Sequence, residues 1–245
     1  MLKTIFRAAS SAFFALTVLY AGVAAAGSFQ INPIRVDLAG DVTTAALTIR
    51  NDGDEPVVVQ ITLLAWSQDA GQEKYAPTNE ALVTPPIATI AAGAQQIVRI
   101  GLRRAPDPLR ELSYRLFVQE VPPPPKADFN GLQVALRVSL PVFVAPRAPA
   151  THTLAWTAKS EADGAIRLTA VNQGNSHIQI SDFELSLPGD EKPVAHEAGL
   201  SYALAGQSRE WVLRSRDARS KTATEFRLKA ITDAGEIAAV VKLDR

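Results

Sequence analysis

The chain has 245 residues, 47% of them hydrophobic and 20% charged, which suits one large or two ordinary globular domains and excludes a disordered protein. Its 25 Lys and Arg balance 25 Asp and Glu, so no basic surplus points to a nucleic-acid partner. Cysteine is absent, which removes thiolate chemistry and cysteine metal sites and says little about the compartment.

The first residues, MLKTIFRAASSAFFALTVLYAGVAAAG, place Lys3 and Arg7 before an apolar run that ends in small residues, with Ala24 and Ala26 in the A-x-A positions. This pattern predicts a cleavable secretory signal over residues 1–26. Its apolar part is about fifteen residues long, short of the roughly 20 needed to span a bilayer. No later stretch is long and apolar enough to span. The expectation is an exported protein with no stable membrane insertion.

From Phe29 onward, short β-prone runs alternate with Gly, Pro, Asn and Asp, and no long helical periodicity appears. The pattern predicts an all-β protein. Strands are expected over Phe29 to Asp37, Thr43 to Asn51, Pro56 to Ser67, Ala81 to Ile90, Ala94 to Leu102, Leu112 to Val121 and Leu132 to Val144. Seven strands suit one immunoglobulin-like sandwich, residues 27–146. Asn51-Asp52-Gly53-Asp54 and Ala91-Ala92-Gly93 mark turns between strands. Pro146-Arg147-Ala148-Pro149-Ala150 suits neither strand nor helix, so a hinge is expected at 147–150. A second sandwich, 151–245, would use Leu154 to Lys159, Ala165 to Asn172, Ile178 to Leu187, Ser208 to Leu213, Thr224 to Ile231 and Glu236 to Leu243.

The most informative stretch is SYRLFVQEVPPPPKADFNGLQVALRVSLPVFVAPR, from Ser113 to Arg147. Two strand-like segments flank a proline-rich loop. In the second segment Leu132, Val134, Leu136, Val138 and Leu140 recur every second residue, so one face of an extended strand carries them all. Such a ladder is either an ordinary core strand or, at a sheet edge, a strand that pairs with another chain and fills its core.

Enzymatic motifs are missing. His152, His177 and His196 show no metal-ligand spacing and read as surface histidines. There is no nucleophile elbow, phosphate loop or calcium loop. No catalytic residue, metal ligand or cofactor is expected. Trp66, Trp156 and Trp211 sit in apolar strand patterns that suggest core rather than sugar platforms. Arginines within apolar strands are more telling, because a half-buried charge must be paired or reach water. Arg35, Arg99, Arg115 and Arg137 fit that description. One or two of them lining a cleft could bind a carboxylate, and internal salt bridges are the alternative for each.

These residues resemble the periplasmic chaperones of pilus and fimbria assembly, which work with an outer-membrane usher. The resemblance rests on Asn32-Pro33-Ile34-Arg35-Val36, Leu47-Thr48-Ile49-Arg50-Asn51, Trp66, Thr84-Pro85-Pro86, Gly93 with Ile97-Val98-Arg99-Ile100, Tyr114-Arg115-Leu116, Glu120-Val121-Pro122-Pro123, and Leu132 to Pro146. It implies two immunoglobulin-like sandwiches in a boomerang arrangement and a non-enzymatic role. Pilus subunits that lack a strand would be stabilised by donor-strand complementation through Leu132, Val134, Leu136, Val138 and Leu140, then delivered to the usher. The family pairs an arginine on the first strand, matched by Arg35, with a lysine that aligns with Pro141 here. That departure makes Arg99 and Arg115 further candidates for anchoring the subunit's terminal carboxylate, and it places the chain near the archaic or spore-coat-like branch. Pro85 and Pro86 match a stretch near the usher-facing surface. An exposed apolar edge also allows a self-capping homo-oligomer. The alternative to all of this is an exported β-sandwich that binds a ligand or carbohydrate.

Overall fold

In the computed structural model, residues 29–39, 41–124 and 134–244 are described. The expected signal segment, Leu132 and most of the proline-rich loop lie outside them. The first half contains β1 (Phe29–Asn32), β2 (Val36–Leu38), β3 (Thr44–Asn51), β4 (Val57–Asp69), β5 (Gln72–Pro77), β6 (Ala81–Thr84), β7 (Ile87–Ile90), β8 (Gln95–Leu102), β9 (Leu112–Glu120) and β10 (Arg137–Val144). The order β1-β3-β8-β6 makes one sheet, and β2-β10-β9-β4-β5, with β7 on β4, makes the other. Val36, Leu47, Ile49, Val59, Val98, Ile100, Leu116, Val118, Leu140 and Val142 are among the buried residues between them.

The expected first strand is two strands in different sheets, because Pro33, after a cis Asn32–Pro33 bond, has no N–H to continue the ladder. The expected Ala81 to Ile90 strand divides in the same way at Thr84–Pro85, also cis, and Pro86. Both breaks let one stretch of chain serve both layers. β5 is a strand the sequence pattern did not predict.

The second half holds β11 (Leu154–Ser160), β12 (Ile166–Asn172), β13 (Ile178–Ser186), β14 (Pro193–Ala203), β15 (Ser208–Leu213), a 3-10 turn at Ala218–Lys221, β16 (Glu225–Thr232) and β17 (Gly235–Asp244). The strand order β14-β13-β16-β17-β11-β12-β15 wraps a separate core that includes Leu168, Ile180, Phe183, Phe226 and Leu228. Unpredicted β14 is mostly exposed in its middle, so its sequence lacks clean alternation.

A buried asparagine organises each half. Asn51 Nδ2 donates to the carbonyls of Glu55 (2.7 Å), Ile90 (3.1 Å) and Ala91 (3.2 Å), while its Oδ1 accepts from Gly53 N–H (2.9 Å). Asn172 donates to Ser176 and Ala203 carbonyls and accepts from Gly174 N–H, each at 2.8 Å. One amide thus satisfies several turn groups that burial would otherwise orphan.

The halves meet along the end of β4. Odd residues of β4 from Val57 to Leu63 face the first core, but from Trp66 onward the buried positions are even, Trp66 and Gln68. Those two side chains are covered by the second half. Trp66 packs with Phe143, Tyr202 and Leu204 in a third cluster. Gln68 imitates a strand partner: its Nε2 donates to Tyr202 O (2.6 Å) and its Oε1 accepts from Leu204 N–H (3.0 Å). Beyond it, Arg209 pairs with Glu73 at 3.2 Å.

Candidate functional site

β10 lies against β9 over its whole length, from Arg137↔Gln119 to Val144↔Leu112, but β2 covers its other side only at Val142, Phe143 and Val144. Among the described residues, the outer edge from Arg137 to Pro141 has no strand partner. Upstream, Leu136 continues toward β9: Glu120 N–H donates to Leu136 O (2.8 Å), and Leu136 N–H donates to Glu120 Oε2 (3.2 Å).

The expected ladder divides along this edge. Val134 is 60% exposed and Leu136 37% exposed, and neither lies within a strand. Val138 is half-buried against the first core, and Leu140 is 3% exposed within it. Leu140 therefore belongs to this protein's own interior, a correction to the reading of five equivalent residues. The strand begins at Arg137, five residues later than the sequence pattern placed it, and Leu132 lies outside the described residues.

The three candidate anchor arginines are not brought together. Arg99 is exposed on β8, on the outward face of the sheet opposite β9. It lies away from the junction. Arg35 sits just before β2 and is already engaged, with Nε 2.8 Å from Asp37 and Nη1 3.8 Å from Asp233. The hydrogen bond it donates to Asp37 is the main reason its pKa is raised.

Arg115 is different. It projects from β9 directly opposite Pro141, and its guanidinium lies over Trp66, 4.5 Å from the ring centroid, and 6.0 Å from that of Tyr202. Its Nε and Nη1 are buried without a hydrogen-bond partner. A cation stacked on aromatic faces is partly compensated, but its in-plane donors still require an acceptor. Tyr202, whose hydroxyl is pushed up in pKa by burial, donates to Gln179 Oε1 at 3.0 Å and is not that acceptor.

Behind this wall, Glu111 and His177 join the halves. Both are buried, Nδ1 lies 2.9 Å from each Glu111 oxygen, and the imidazole stacks on Phe143 at 3.6 Å. His177 is thus no surface histidine. His152 and His196 are exposed, the latter 2.8 Å from Asp182. With Arg35, His152 and Asp233, His177 lines a cleft of about 280 Å³. Trp156 and Trp211 are half-buried against the second core, and Trp66 is buried at the junction.

Pro85 is half-buried and Pro86 exposed at the break between β6 and β7, where Gln60, Leu82 and Ile87 help line a shallow groove of about 340 Å³. Trp66, Tyr202 and His177 were not foreseen as site residues. Tyr202 and His177 lie more than 60 residues from Arg115 in sequence, and no local signal pairs them.

Residues 28–150 match the model of the pili and flagellar-assembly chaperone family, PapD N-terminal domain. The chain belongs to that family. No curated protein matches. Among solved structures, this chaperone is similar to a chain of the CsuC–CsuE chaperone–tip adhesion subunit pre-assembly complex, from the archaic chaperone-usher Csu pili of Acinetobacter baumannii. The identity is 21%, over 89% of this chain and 100% of that one, with a TM-score of 0.68. It is also similar to the E. coli chaperone DraB (24% identity, 88% and 97% covered, TM-score 0.58). A third likeness is to the Salmonella enterica SafA pilin–SafB chaperone complex (19%, 87% and 96%, 0.60). At these identities the likeness concerns the fold: two β-sandwiches joined in one chain. Chaperones of this family are not enzymes.

Proposed function

We propose that this chaperone works in the periplasm, capturing pilus or fimbrial subunits by lending them the open edge of β10 and the segment before it. It then passes them to an outer-membrane usher. The observation that carries the reading is the edge from Arg137 to Pro141, unpaired among the described residues and preceded by exposed Val134 and Leu136. Edge N–H and C=O groups supply affinity that does not depend on sequence, while Val134 and Leu136, with Leu132 upstream, enter apolar pockets of a subunit that lacks a strand. Each aliphatic side chain so buried contributes about 1.5–3 kcal/mol.

Arg115 is the best-placed anchor for the subunit's terminal carboxylate, because that group would satisfy its two unpartnered nitrogens. Arg35 contributes on release from Asp37, and Arg99 on its distant face does not. Pro85 and Pro86 are assigned to the usher-facing surface. In the free protein the same edge is open to capping by a second copy.

The test is co-expression of the full chain with a cognate pilus subunit, followed by size-exclusion chromatography. A one-to-one complex that is lost with Leu136→Glu supports strand donation. A complex unaffected by that substitution sinks it.

A further inference from the structure

Arg115 is one of two arginines on the same wall. On β9, Ser113, Arg115, Phe117 and Gln119 alternate with the buried Tyr114, Leu116 and Val118, so the four share the face turned away from the first core. Arg137, opposite Gln119 on β10, is exposed and lays its guanidinium over Phe117, 4.4 Å from the ring centroid. Tyr75 of β5 meets Phe117 edge-on, with centroids 5.3 Å apart and planes at 90°. The wall is a row of aromatic rings carrying one cation at each end.

Among the described residues neither cation is neutralised. Arg137 has no ion pair among the described residues, and Arg115 has two buried nitrogens without partners. The acids nearby are committed elsewhere. Glu73 pairs with Arg209 and accepts from the Trp66 indole N–H, and Glu120 accepts from Leu136 N–H. Burial is the main cause of the raised Tyr75 pKa, and both Arg115 and Arg137 oppose it, so this phenol lies in the field of both guanidiniums.

The spacing converts directly into peptide register. Arg115 and Gln119, the row of Arg137, are four residues apart on one strand. At about 3.3 Å per residue that is roughly 13 Å, the length of four residues of any extended chain lying alongside. Side chains of such a chain return to the same face at even separations.

We infer that Arg137 reads a second anionic group on the captured chain, an Asp or Glu side chain four residues before the terminal carboxylate held at Arg115. This deepens the proposed function and rests on its terminal-carboxylate reading. Arg115 would then recognise any free C-terminus, and Arg137 would select among subunits by sequence. Because Arg137 is exposed, its contribution is modest and screened by salt.

Nine-residue peptides of alternating Val and Thr, with a free terminal carboxylate and a fluorophore at the other end, test this. A single Glu is walked from the first to the seventh position before the terminus, and binding to the full chain is read by fluorescence anisotropy. Affinity should peak at the fourth position, roughly fivefold above the second and sixth. The peak should vanish with Arg137→Gln or a Glu-to-Gln peptide, while binding that depends on Arg115 persists. A flat profile, with the loss on Arg115→Gln retained, overturns the Arg137 assignment and leaves the anchor standing. Binding indifferent to both Arg115→Gln and C-terminal amidation overturns the anchor, and the register argument with it.

Discussion

His177 and Glu111 face each other across the junction of the two sandwiches, with Nδ1 2.9 Å from both carboxylate oxygens and the His177 backbone N–H donating to Oε1 at 3.1 Å. Their side chains are only 10% and 5% exposed. Glu111→Ala leaves buried donors without an acceptor, so the expected cost is about 3 kcal/mol. At roughly 2–4 °C per kcal/mol for a chain of this size, differential scanning calorimetry should show a clear fall in the unfolding midpoint. An unchanged midpoint would mean the pair contributes nothing to holding the halves together.

Substitutions at Leu136 and Leu140 should separate the proposed capture from folding. Leu136 is exposed and Leu140 is 3% exposed within the first core, so Leu140→Ala should destabilise the free protein by about 2–5 kcal/mol. Leu136→Ala should leave urea unfolding within roughly 0.5 kcal/mol of the parent while weakening subunit retention. Equal destabilisation by both would show that the exposed part of the ladder is also structural.

Gly174 lies beneath the connection between the halves. A Cβ placed there would lie 2.1 Å from the backbone oxygen of Thr151, which a flexible neighbour cannot relieve because the obstacle is main chain. Gly174→Ala should cost about 1–3 kcal/mol and disturb the Asn172 turn hydrogen bond to Gly174 N–H. Chemical denaturation reads the first effect, and amide exchange at Gly174 reads the second. Normal protection at that amide would argue against the clash.

Alkali should unfold the first sandwich in a way that Tyr114 controls. Burial, then its hydrogen bond to Glu80 at 3.0 Å, raises the Tyr114 pKa far above that of a free phenol. Below about pH 10 the phenol is neutral in both states and costs nothing. Above that the unfolded chain releases the proton and the folded one holds it, so stability falls as pH rises, by up to about 1.4 kcal/mol per pH unit for this group. Tyr114→Phe should flatten the dependence of the urea midpoint between pH 9 and 11. An identical slope in the variant would assign the effect to Tyr75 and Tyr202, whose pKa values are also raised.

Alternation and turn chemistry alone determined the all-β class and most strands, because a period of two and Asn, Gly and Pro breaks are properties of neighbouring residues. The match of Asn32 to Val36 and of Leu132 to Pro146 with pilus chaperones was likewise legible, since it needs only order and spacing. Alternation could not say where β10 stops being edge and becomes core. Leu136 and Leu140 look identical in sequence, and only the placement of β9 and β2 exposes one and buries the other. Nor could it rank the arginines, which look alike on their strands. The fold sends Arg99 to an outward sheet face, gives Arg35 to Asp37 and Asp233, and stacks Arg115 on Trp66 beside Tyr202 from the other half. Long-range packing decides which arginine is stacked on aromatic rings with buried nitrogens left without a partner, and that arginine is the one we propose as the anchor.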